Sequence, residues 1–427
     1  MRKIIIALLS VSAYAAGQTT TDTITFMQYN LLNYRNITTY CTASNNNPTS
    51  KEGYMRTIVS HVMPDLIAVN ELAGDGGTAA NRLLTNALNK DGRNYYKQCN
   101  YAANSSLCNM LYYNKNKFVL AKQDKIERSA NNSFLVRLID VYTLYYLDEE
   151  MLEAGDTTYM TVYVAHLKAG STSSDKAERK EMTDAVMKYH EENYSTSNYI
   201  IAGDFNIKTS SEPSYKTLLE ASNASVRFYD PIARSASWNN NSLYSSVHTQ
   251  STRTSGGCAS TGGMDDRFDF VLCGKEILDN TRGIHYVSGS YTAVGNEAKH
   301  FNKSIIEGTN NSVPADVLSA LYNMSDHLPV SIKMAVTRTL SSVSESRIDN
   351  FLIVTNPVNN IMHWKMQLPQ NGKLQVRNIQ GQLIHDEFVS QTNQWIQTDV
   401  SHWAKGTYYV SFLANNGDIV RRKIVKM

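Results

Sequence analysis

Short apolar runs bounded by a polar motif recur along the chain from residue 23 to about residue 336. The runs have the length and the β-branched or aromatic content of buried strands, and helical patterns lie between them. Strands that alternate with helices predict a layered α/β domain. Polar side chains at the ends of neighbouring strands meet at one rim of a sheet, so we expect one shared site. The polar residues are Asn30, Glu71, His166, Gly203-Asp204-Phe205-Asn206, Arg267-Phe268-Asp269 and Ser325-Asp326-His327.

The first 16 residues have the pattern of a secretory signal peptide. Arg2 and Lys3 precede the apolar run Ile4–Leu9, and the small residues around Ala15 provide a cleavage site. A membrane anchor would need about 20 apolar residues, and this run is much shorter. We therefore expect an exported protein without stable membrane insertion.

The C-terminal region has a different composition. Residues 336–347 are rich in Ser and Thr, which predicts a linker. Residues 348–427 contain short strand-like runs separated by turn signals such as Asn356-Pro357, which predicts a small all-β sandwich. A carbohydrate-binding module would expose aromatic residues such as Trp364, Trp395 and Trp403, but tryptophans in a small sandwich usually belong to its core.

The tail contains four recognisable stretches: Asn356-Pro357, Val376–Ile384, Gly406–Val410 and the basic end Arg421–Lys426. In these stretches the tail resembles the type A C-terminal sorting domain of the type IX secretion system of Bacteroidota. The resemblance implies recognition by that secretion machinery, passage across the outer membrane to the cell surface or the medium, and removal of the tail on the way.

The cysteines leave more than one pairing open. Cys99 and Cys108 are close enough in sequence to close a small loop, which makes them the first choice for a disulfide. Cys273 lies in an apolar run and is expected to be a buried free thiol. Cys41 and Cys258 could also pair, and the sequence does not decide between these arrangements.

One helix is well marked after residue 174. Asp175 is a plausible N-cap, with Glu178 three residues on. The basic face of this helix is either solvated or a contact for phosphate. Its two faces are an apolar one (Met182, Ala185, Val186, Tyr189) and a basic one (Lys176, Arg179, Lys180).

The strand-end residues include a set that suits a hard divalent cation. Glu71 and Asp326 offer carboxylate oxygens and Asn30 offers a neutral oxygen, which favours Mg²⁺ or Mn²⁺ over zinc, with Ca²⁺ as a further candidate. Such an ion neutralises a phosphate oxygen and stabilises the departing oxygen. The set therefore predicts a metal-dependent reaction on a phosphoester.

The remaining motif residues suit the activation of water. His327 can accept a proton from an attacking water if a carboxylate holds its ring, and Asp269 is the candidate. Asp204 and Asn206 can position that water, and His166, if protonated, can stabilise charge on the opposite side. Since no Ser or Cys stands in a nucleophile context, we expect direct attack by water.

Together, these residues resemble the endonuclease/exonuclease/phosphatase superfamily over roughly residues 22–334. The resemblance implies a catalytic domain of two mixed β-sheets flanked by helices in four layers, which we assign to residues 22–335. One departure is Asn70, where the family usually has Gln. The implied roles are metal ligation by Asn30 and Glu71 with Asp326 beside the metal, phosphate contact by His166, the Gly-Asp-x-Asn pair Asp204 and Asn206, and the acid–histidine pair Asp269 and His327.

The substrate class stays open among three alternatives. An extracellular nuclease acting on DNA or RNA is the first, because His166–Gly170 resembles a stretch of secreted bacterial nucleases and Lys168, with Lys176 and Arg179, could contact backbone phosphates. A sphingomyelinase-like enzyme is the second, with Tyr142–Leu147 as its candidate membrane hairpin. A non-catalytic surface binding module is the third.

The segment from Ser246 to Arg253 and the glycines that follow it lie where the superfamily carries a substrate-side loop. We expect His248 and Arg253 to contact substrate, although a plain surface loop fits the pattern equally well. The formal net charge is only +2, and much of the basic surplus lies in the signal peptide and the tail. A polyanion would therefore be held by metal or by a local basic patch, and we expect the chain to be monomeric.

Overall fold

The computed structural model describes residues 19–148, 157–193, 198–339, 351–353, 356–366, 371–390, 394–414 and 419–427. The expected signal peptide lies outside these residues. The chain divides into two units, which are described separately. The large unit comprises Asp22–Leu147 and Thr157–Val336, and the other contains the C-terminal region from Thr337 to Met427.

The large unit contains the strands that carry the polar motifs, and its helices lie between them in sequence. The strands are β1 Thr19–Tyr34, β2 Leu66–Ala73, β3 Tyr96–Gln98, β4 Leu107–Asn114, β5 Phe118–Arg128, β6 Phe134–Tyr146, β7 Tyr159–His166, β8 Asn198–Asp204, β9 Phe228–Tyr229, β10 Asp269–Gly274, β11 Ile284–Tyr286, β12 Thr292–Ala293 and β13 Val330–Thr339. The helices are α1 Pro48–Val62, α2 Thr78–Leu83, α3 Ser173–Asn193, α4 Pro213–Leu219, α5 Lys275–Asp279 and α6 Ala315–Met324.

These strands form two mixed sheets. The first has the order β11-β13-β1-β2-β4-β3, with β12 paired to β13, and the second has the order β5-β6-β7-β8-β10-β9. In the first sheet β1 and β2 are parallel while β2 and β4 are antiparallel. In the second sheet β7 and β8 are parallel while β8 and β10 are antiparallel.

Alternate residues of the second sheet face different cores. Ile200 belongs to a cluster shared with the first sheet and with Met55 of α1, whereas Ile201 belongs to a cluster shared with Val186 of α3. Successive residues of a strand point to opposite faces of the sheet, so the apolar residues of β8 contribute to both cores. The result is helix, sheet, sheet, helix, and the predicted four-layer architecture is confirmed.

Helix α3 differs from the expectation at its start. Asp175 is not the N-cap: the Oγ1 of Thr172 accepts the Asp175 N–H at 3.2 Å, and the Thr172 N–H donates to Asp175 Oδ2 at 3.0 Å. This reciprocal pair caps the helix one turn earlier. The predicted apolar face is buried, but so is Arg179, which pairs with Glu212 at 2.5 Å. Arg179 is therefore not available for a phosphate.

The expected disulfide between Cys99 and Cys108 is wrong. The Cys99 N–H donates to the carbonyl of Leu111, so Cys99 lies opposite a residue three positions along β4 from Cys108. Three residues of extended strand span roughly 10 Å, which is too far for a disulfide. The bond instead joins Cys41 and Cys258, and Cys273 is a buried free thiol as predicted.

Strand β13 runs through the start of the expected linker. Residues 336–339 are its last four residues, and the remainder of the 336–347 segment lies outside the described residues. No helix within the described ranges is long and apolar enough to cross a membrane.

The C-terminal unit is all-β, as predicted. A three-stranded sheet, in the order β14-β15-β18, and a four-stranded sheet, in the order β17-β16-β19-β20, share a core that includes Trp364 and Trp403. Trp395 is exposed. The strands are β14 Phe351–Ile353, β15 Ile361–Met366, β16 Gly372–Asn378, β17 Leu383–Val389, β18 Ile396–Asp399, β19 Gly406–Ala414 and β20 Ile419–Lys426.

Candidate active site

Strand pairing brings the polar motifs together at one rim of the large unit. His166 lies opposite Asp204 across β7 and β8, and Asp204 lies opposite Asp269 across β8 and β10. In the other sheet, Asn30 lies opposite the residue that precedes Glu71. The hydroxyl of Ser325 donates to the Asn30 carbonyl at 2.7 Å, which attaches the last motif to β1.

The glycine of the Gly-Asp-x-Asn motif is required by the close approach of β7 and β8. A Cβ atom on Gly203 would lie 1.7 Å from the carbonyl oxygen of Ala165, and its φ is +151°. Only glycine fits such a position. After the strand, Asp204 Oδ1 accepts the N–H of Asn206 at 3.0 Å, and this turn directs both side chains to the cleft.

Glu71 reaches the cleft through an unusual backbone conformation. Its φ is +63°, and Leu32 and Asn33 on the neighbouring strand have φ values of +45° and +50°. The pairing register of β1 with β2 shifts at this point. Left-handed conformations are costly for residues other than glycine and cluster at functional sites. The Asn33 N–H donates to Glu71 Oε2 at 2.8 Å and so fixes the carboxylate.

A buried lysine stabilises the irregular end of β1 at Leu31 and Leu32. The ammonium of Lys51, in α1, donates to the carbonyls of Leu31 and Leu32 at 2.7 and 2.6 Å. Burial lowers its pKa to about 7, against the opposing effect of Asp326 and Glu71. Lys51 therefore holds the strand end that presents Asn30.

The acid–histidine pair has the geometry expected of a water-activating base. Asp269 Oδ2 lies 2.7 Å from Nδ1 of His327, and both side chains are buried. Burial by itself lowers the pKa of His327, but the carboxylates of Asp269 and Asp204 outweigh it and hold this pKa well above its usual value. The carboxylate thus fixes the ring and leaves Nε2 facing the cleft.

Three side chains form a cluster that could hold a cation. One ligand atom from each of Glu71, His166 and Asp204 lies within 4.8 Å of the other two. Burial raises the pKa of Asp204 to about 7, while His327 lowers it and Asp269 and Glu71 raise it further. Burial, together with Arg137 and His327, holds the pKa of His166 well below its usual value. His166 is therefore a neutral ring, suited to ligation rather than to charge neutralisation.

Asp326 has one oxygen held and one oxygen free. Its Oδ2 accepts the Ser260 N–H at 2.7 Å, and the amide of Gln250 approaches the same oxygen at 3.4 Å. Its Oδ1 is buried and has no hydrogen-bond partner within the described part of the chain. A buried carboxylate oxygen without a partner is costly unless a cation is bound to it, so the donor set fits a divalent ion.

The side chain of Asn30 is oriented by the acids around it. Its Nδ2 donates to Glu71 Oε1 at 3.1 Å and to Asp204 Oδ2 at 3.0 Å, and its Oδ1 accepts the Leu32 N–H at 2.9 Å. In this orientation Asn30 bridges two candidate ligands. Ligation through its oxygen, as the sequence predicts, would require the amide to turn over.

Asn70, the departure noted in the sequence, belongs to a buried polar chain beneath the site. Its Oδ1 accepts from Gln28 at 2.9 Å and from the Asp204 N–H at 3.0 Å, and its Nδ2 donates to Asn109 at 2.8 Å. Asn109 in turn donates to Asp140 at 3.2 Å. Asn70 therefore joins the two sheets directly at Asp204.

Comparison with known proteins identifies the C-terminal unit. Residues 355–426 match a family model described as a secretion system C-terminal sorting domain. The tail is a secretion sorting domain. The prediction that the chain is directed to the cell surface or the extracellular space is confirmed by this match. No curated protein matches the chain in sequence.

Solved structures of similar fold include members of the family that the strand-end motifs resemble. An endonuclease/exonuclease/phosphatase from Bacteroides vulgatus is 12% identical and aligns over 74% of this chain and 99% of its own, with a TM-score of 0.46. The catalytic domain of human Nocturnin is 13% identical over 74% and 97%, with a TM-score of 0.46. A mannosyl-6-phosphatase from Bacteroides thetaiotaomicron is 13% identical over 73% and 99%, with a TM-score of 0.44. At these identities and TM-scores the likeness does not assign an activity to this chain, so any activity must be inferred from the residues of the site.

Three residues predicted to contact substrate do not line the cleft. Lys168 pairs with Asp175 at 2.5 Å. His248 is buried, and its ring nitrogens lie 2.9 and 3.3 Å from the carbonyls of Trp238 and Met264. Arg253 donates to the Tyr322 carbonyl at 2.6 Å and stacks on the Tyr322 ring. The structure gives each of these side chains a partner within the protein.

The cleft contains residues that the sequence pattern did not single out. It has a volume of about 410 Å³, and two of its basic lining residues are Arg137 and Lys208. The Arg137 guanidinium donates to the Leu167 carbonyl at 3.0 Å, and within the described ranges neither base has a carboxylate within 4.0 Å. Gln250 lies 2.7 Å from Nε2 of His327. No signal in the sequence pointed to Gln250, because residues two positions apart in an extended segment face the same side, and His248, two residues earlier, is buried.

Proposed function

We propose that the protein is a secreted, divalent-metal-dependent phosphodiesterase, and that nucleic acid is its substrate. The observation that carries the proposal is the His327–Asp269 pair beside Glu71, Asp204 and Asp326, acids that have no lysine or arginine within 4.0 Å in the described part of the chain. An acid–histidine pair activates water, and an unbalanced acid cluster binds a cation. The two together are what hydrolysis of a phosphodiester requires.

Each residue takes a role that follows from its position. A cation held at the acid cluster would neutralise a phosphate oxygen and stabilise the departing oxygen. The raised pKa of His327 keeps a proton on its ring, and a cation bound beside Asp204 would oppose that effect and favour the unprotonated ring. Nε2 of the unprotonated His327 then accepts the proton of the attacking water, while Asp269 holds the ring and stabilises the charge that forms on it. Asp204 and Asn206 position the water from the adjacent turn. Glu71, His166 and Asp204 would hold the cation, with Asn30 orienting the two carboxylates. The Oδ1 of Asp326, which has no hydrogen-bond partner among the described residues, is a further candidate ligand.

The basic residues of the cleft support a diester of nucleic acid over a small neutral ester. The guanidinium of Arg137 is fixed by a backbone carbonyl and has no acidic partner within the described residues, so it is free to meet phosphate oxygens. Lys208 lines the same cleft. Contacts of this kind bind the sugar-phosphate backbone without reading its sequence.

The alternative of a phospholipid substrate loses its sequence support. The stretch Tyr142–Leu147, which could have been a membrane hairpin, lies at the end of β6, between β5 and β7, and most of it is buried. It cannot enter a bilayer while the sheet is intact.

The test is a substrate panel with the full chain. Linear DNA, RNA, bis-p-nitrophenyl phosphate and sphingomyelin vesicles are each incubated with Mg²⁺ or Mn²⁺ and with excess chelator. We expect hydrolysis of nucleic acid with metal, none with chelator, and none in His327→Ala. Release of choline phosphate without nucleic acid cleavage would replace the nucleic acid assignment, and hydrolysis that survives the chelator would refute the metal requirement.

A further inference from the structure

The segment from Gln250 to Gly263, here called the cleft loop, lies beside the Ser325-Asp326-His327 motif. The ends of the loop are joined, because the Ser251 N–H donates to the Gly263 carbonyl at 2.8 Å. The Thr252 N–H donates to the backbone carbonyl of Asp326 at 2.9 Å. The base of the loop is therefore fixed against the residue that carries the candidate metal ligand.

The tip of the loop determines how the Asp326 carboxylate is presented. Ser260 donates its N–H to Oδ2 at 2.7 Å, and Oδ1 is buried with no hydrogen-bond partner among the residues that the structure describes. The Ser260 carbonyl accepts the Ser251 hydroxyl at 2.6 Å. A hydrogen bond from a backbone N–H to a carboxylate is charge-assisted and directional, so the tip selects which oxygen is free for a cation.

The amino-acid sequence of the loop tip, residues 254–260, does not by itself fix the Ser260 N–H against Asp326. Glycines stand on both sides of Cys258, and Gly256, Gly262 and Gly263 have φ values of +153°, +120° and +85°. Most residues from Thr254 to Ser260 are exposed, and glycine-rich backbone has many accessible conformations. An additional constraint is needed to keep the Ser260 N–H on Asp326.

The disulfide provides that constraint. Cys258 is bonded to Cys41, which lies in a turn closed by the Thr38 N–H to the Cys41 carbonyl at 2.9 Å. The same region is tied to the site, because the Asn46 side chain donates to the Asn33 carbonyl at 2.8 Å. Asn33 holds Glu71. The bond therefore connects the tip that holds Asp326 with the strand end that holds Glu71.

We infer that the Cys41–Cys258 disulfide and the Ser260 N–H position Asp326 for cation binding, so that the metal site is completed only when this bond forms. The inference rests on the proposed metal-dependent function. Forming the bond takes two protons and two electrons from two thiols, and the disulfide of a thiol–disulfide oxidant accepts them and becomes a dithiol. Such oxidants act in the compartments that exported proteins enter, and thiols stay reduced in the cytosol. Full metal affinity is then acquired on export.

The experiment measures Mn²⁺ affinity directly, by the loss of the electron paramagnetic resonance signal of free Mn²⁺ on titration with full-length protein. Ser260→Pro removes the N–H and keeps the disulfide, whereas Cys41→Ser/Cys258→Ser removes the disulfide and keeps the N–H. Ser255→Pro, in the same loop, is the matched control. Far-ultraviolet circular dichroism confirms that each variant is folded.

We expect the dissociation constant for Mn²⁺ to rise roughly tenfold or more in both test variants, as for loss of a charge-assisted hydrogen bond, and to stay at the wild-type value in Ser255→Pro. A second readout separates positioning from general destabilisation. The Mn²⁺ concentration for half-maximal hydrolysis should rise by the same factor, and saturating Mn²⁺ should restore kcat.

Two failures are distinguishable. If wild-type protein binds Mn²⁺ and both test variants bind it equally well, the inference is refuted while the proposed function stands. If the wild type binds no Mn²⁺ or Mg²⁺, the proposed metal-dependent function is refuted, and the inference with it. A loss of kcat that saturating metal does not restore would also overturn the positioning role.

Discussion

Two regions of the large unit bury carboxylates in opposite ways. Behind the second sheet, Glu212 pairs with Arg179 at 2.5 Å and Asp230 pairs with Arg267 at 2.8 Å, and all four side chains are almost fully buried. At the cleft, Asp204 has only the histidines His166 and His327 within 4.0 Å among the cationic groups of the described chain. Glu71 and Asp326 likewise have only histidine neighbours.

The difference separates a structural role from a functional one. A buried carboxylate balanced by an arginine fork is satisfied within the protein and contributes to one defined fold. Several acids gathered with no lysine or arginine beside them repel one another, and this repulsion lowers the stability of the fold. Such an arrangement is stable only with a bound cation or a proton.

Asp140 shows what happens to a buried acid that no cation can reach. Asp140 lies on β6 beneath the site, and its Oδ2 accepts from Asn109 at 3.2 Å. Burial raises its pKa to about 8, although the bond from Asn109 lowers it. This acid therefore takes up a proton, whereas the acids of the cleft are open to a metal ion.

The largest expected effect is a loss of catalytic efficiency when a residue of the cleft is changed. His327→Ala should lower kcat/KM by roughly 10²–10⁴-fold, because general-base assistance to the attacking water is lost. Because the change also leaves Asp269 buried without its partner, the unfolding free energy in urea should fall as well, so kcat/KM is measured where the variant is fully folded. His61→Ala, an exposed residue of α1, is the control and should retain wild-type kcat/KM. Equal loss in both variants would show that the effect is not specific to the acid–histidine pair.

The matching change on the structural side should affect stability instead. Arg267→Leu leaves Asp230 buried without its partner and should lower the unfolding free energy by about 3–5 kcal/mol in urea denaturation. Mn²⁺ affinity of the folded variant should be unchanged. Lys275→Ala, which breaks the exposed pair with Asp279, should change the unfolding free energy far less, because water screens that pair. If Arg267→Leu instead abolished metal binding while stability held, the two regions would not be separable.

The residues of the cleft could be predicted from the sequence better than the buried acid–arginine pairs could. The motif residues Asn30, Glu71, Asp204 and His327 could be found because each stands at the end of an apolar strand, and strand ends converge. The Arg179–Glu212 pair could not, because Arg179 sits on the basic face of α3 and only the packing of α4 shows that this face is covered. Polarity along a helix does not report what packs against it.

The missed contacts share one cause, which is that they join distant loops. The disulfide connects residues 217 positions apart, so spacing favoured the nearer Cys99 and Cys108. His248 and Gln250 are two positions apart in the same segment, yet one faces the core and the other the cleft. Which of them reaches the site depends on the exit angle of the segment, and local sequence does not fix it.

A smaller effect concerns the proton on Asp140. Its folded pKa, about 8, lies above the unfolded value of 3.8, so its contribution to stability is complete below the unfolded pKa and is lost as pH rises through the folded pKa. Wild-type unfolding free energy should therefore fall relative to Asp140→Asn as pH rises from about 5 to 8. Parallel pH profiles for the two proteins would show that Asp140 is ionised in the folded chain.

The most direct test of the contrast between balanced and unbalanced acids compares wild type with Asp326→Asn in urea denaturation, with and without Mn²⁺. The asparagine keeps an oxygen for the Ser260 N–H and removes one negative charge. Without metal, the variant should be at least as stable as the wild type. With Mn²⁺ at about 100 times its dissociation constant, the wild type should gain about 2.7 kcal/mol and the variant much less. A wild type that gains nothing from the cation, or a variant that gains as much, would contradict the account.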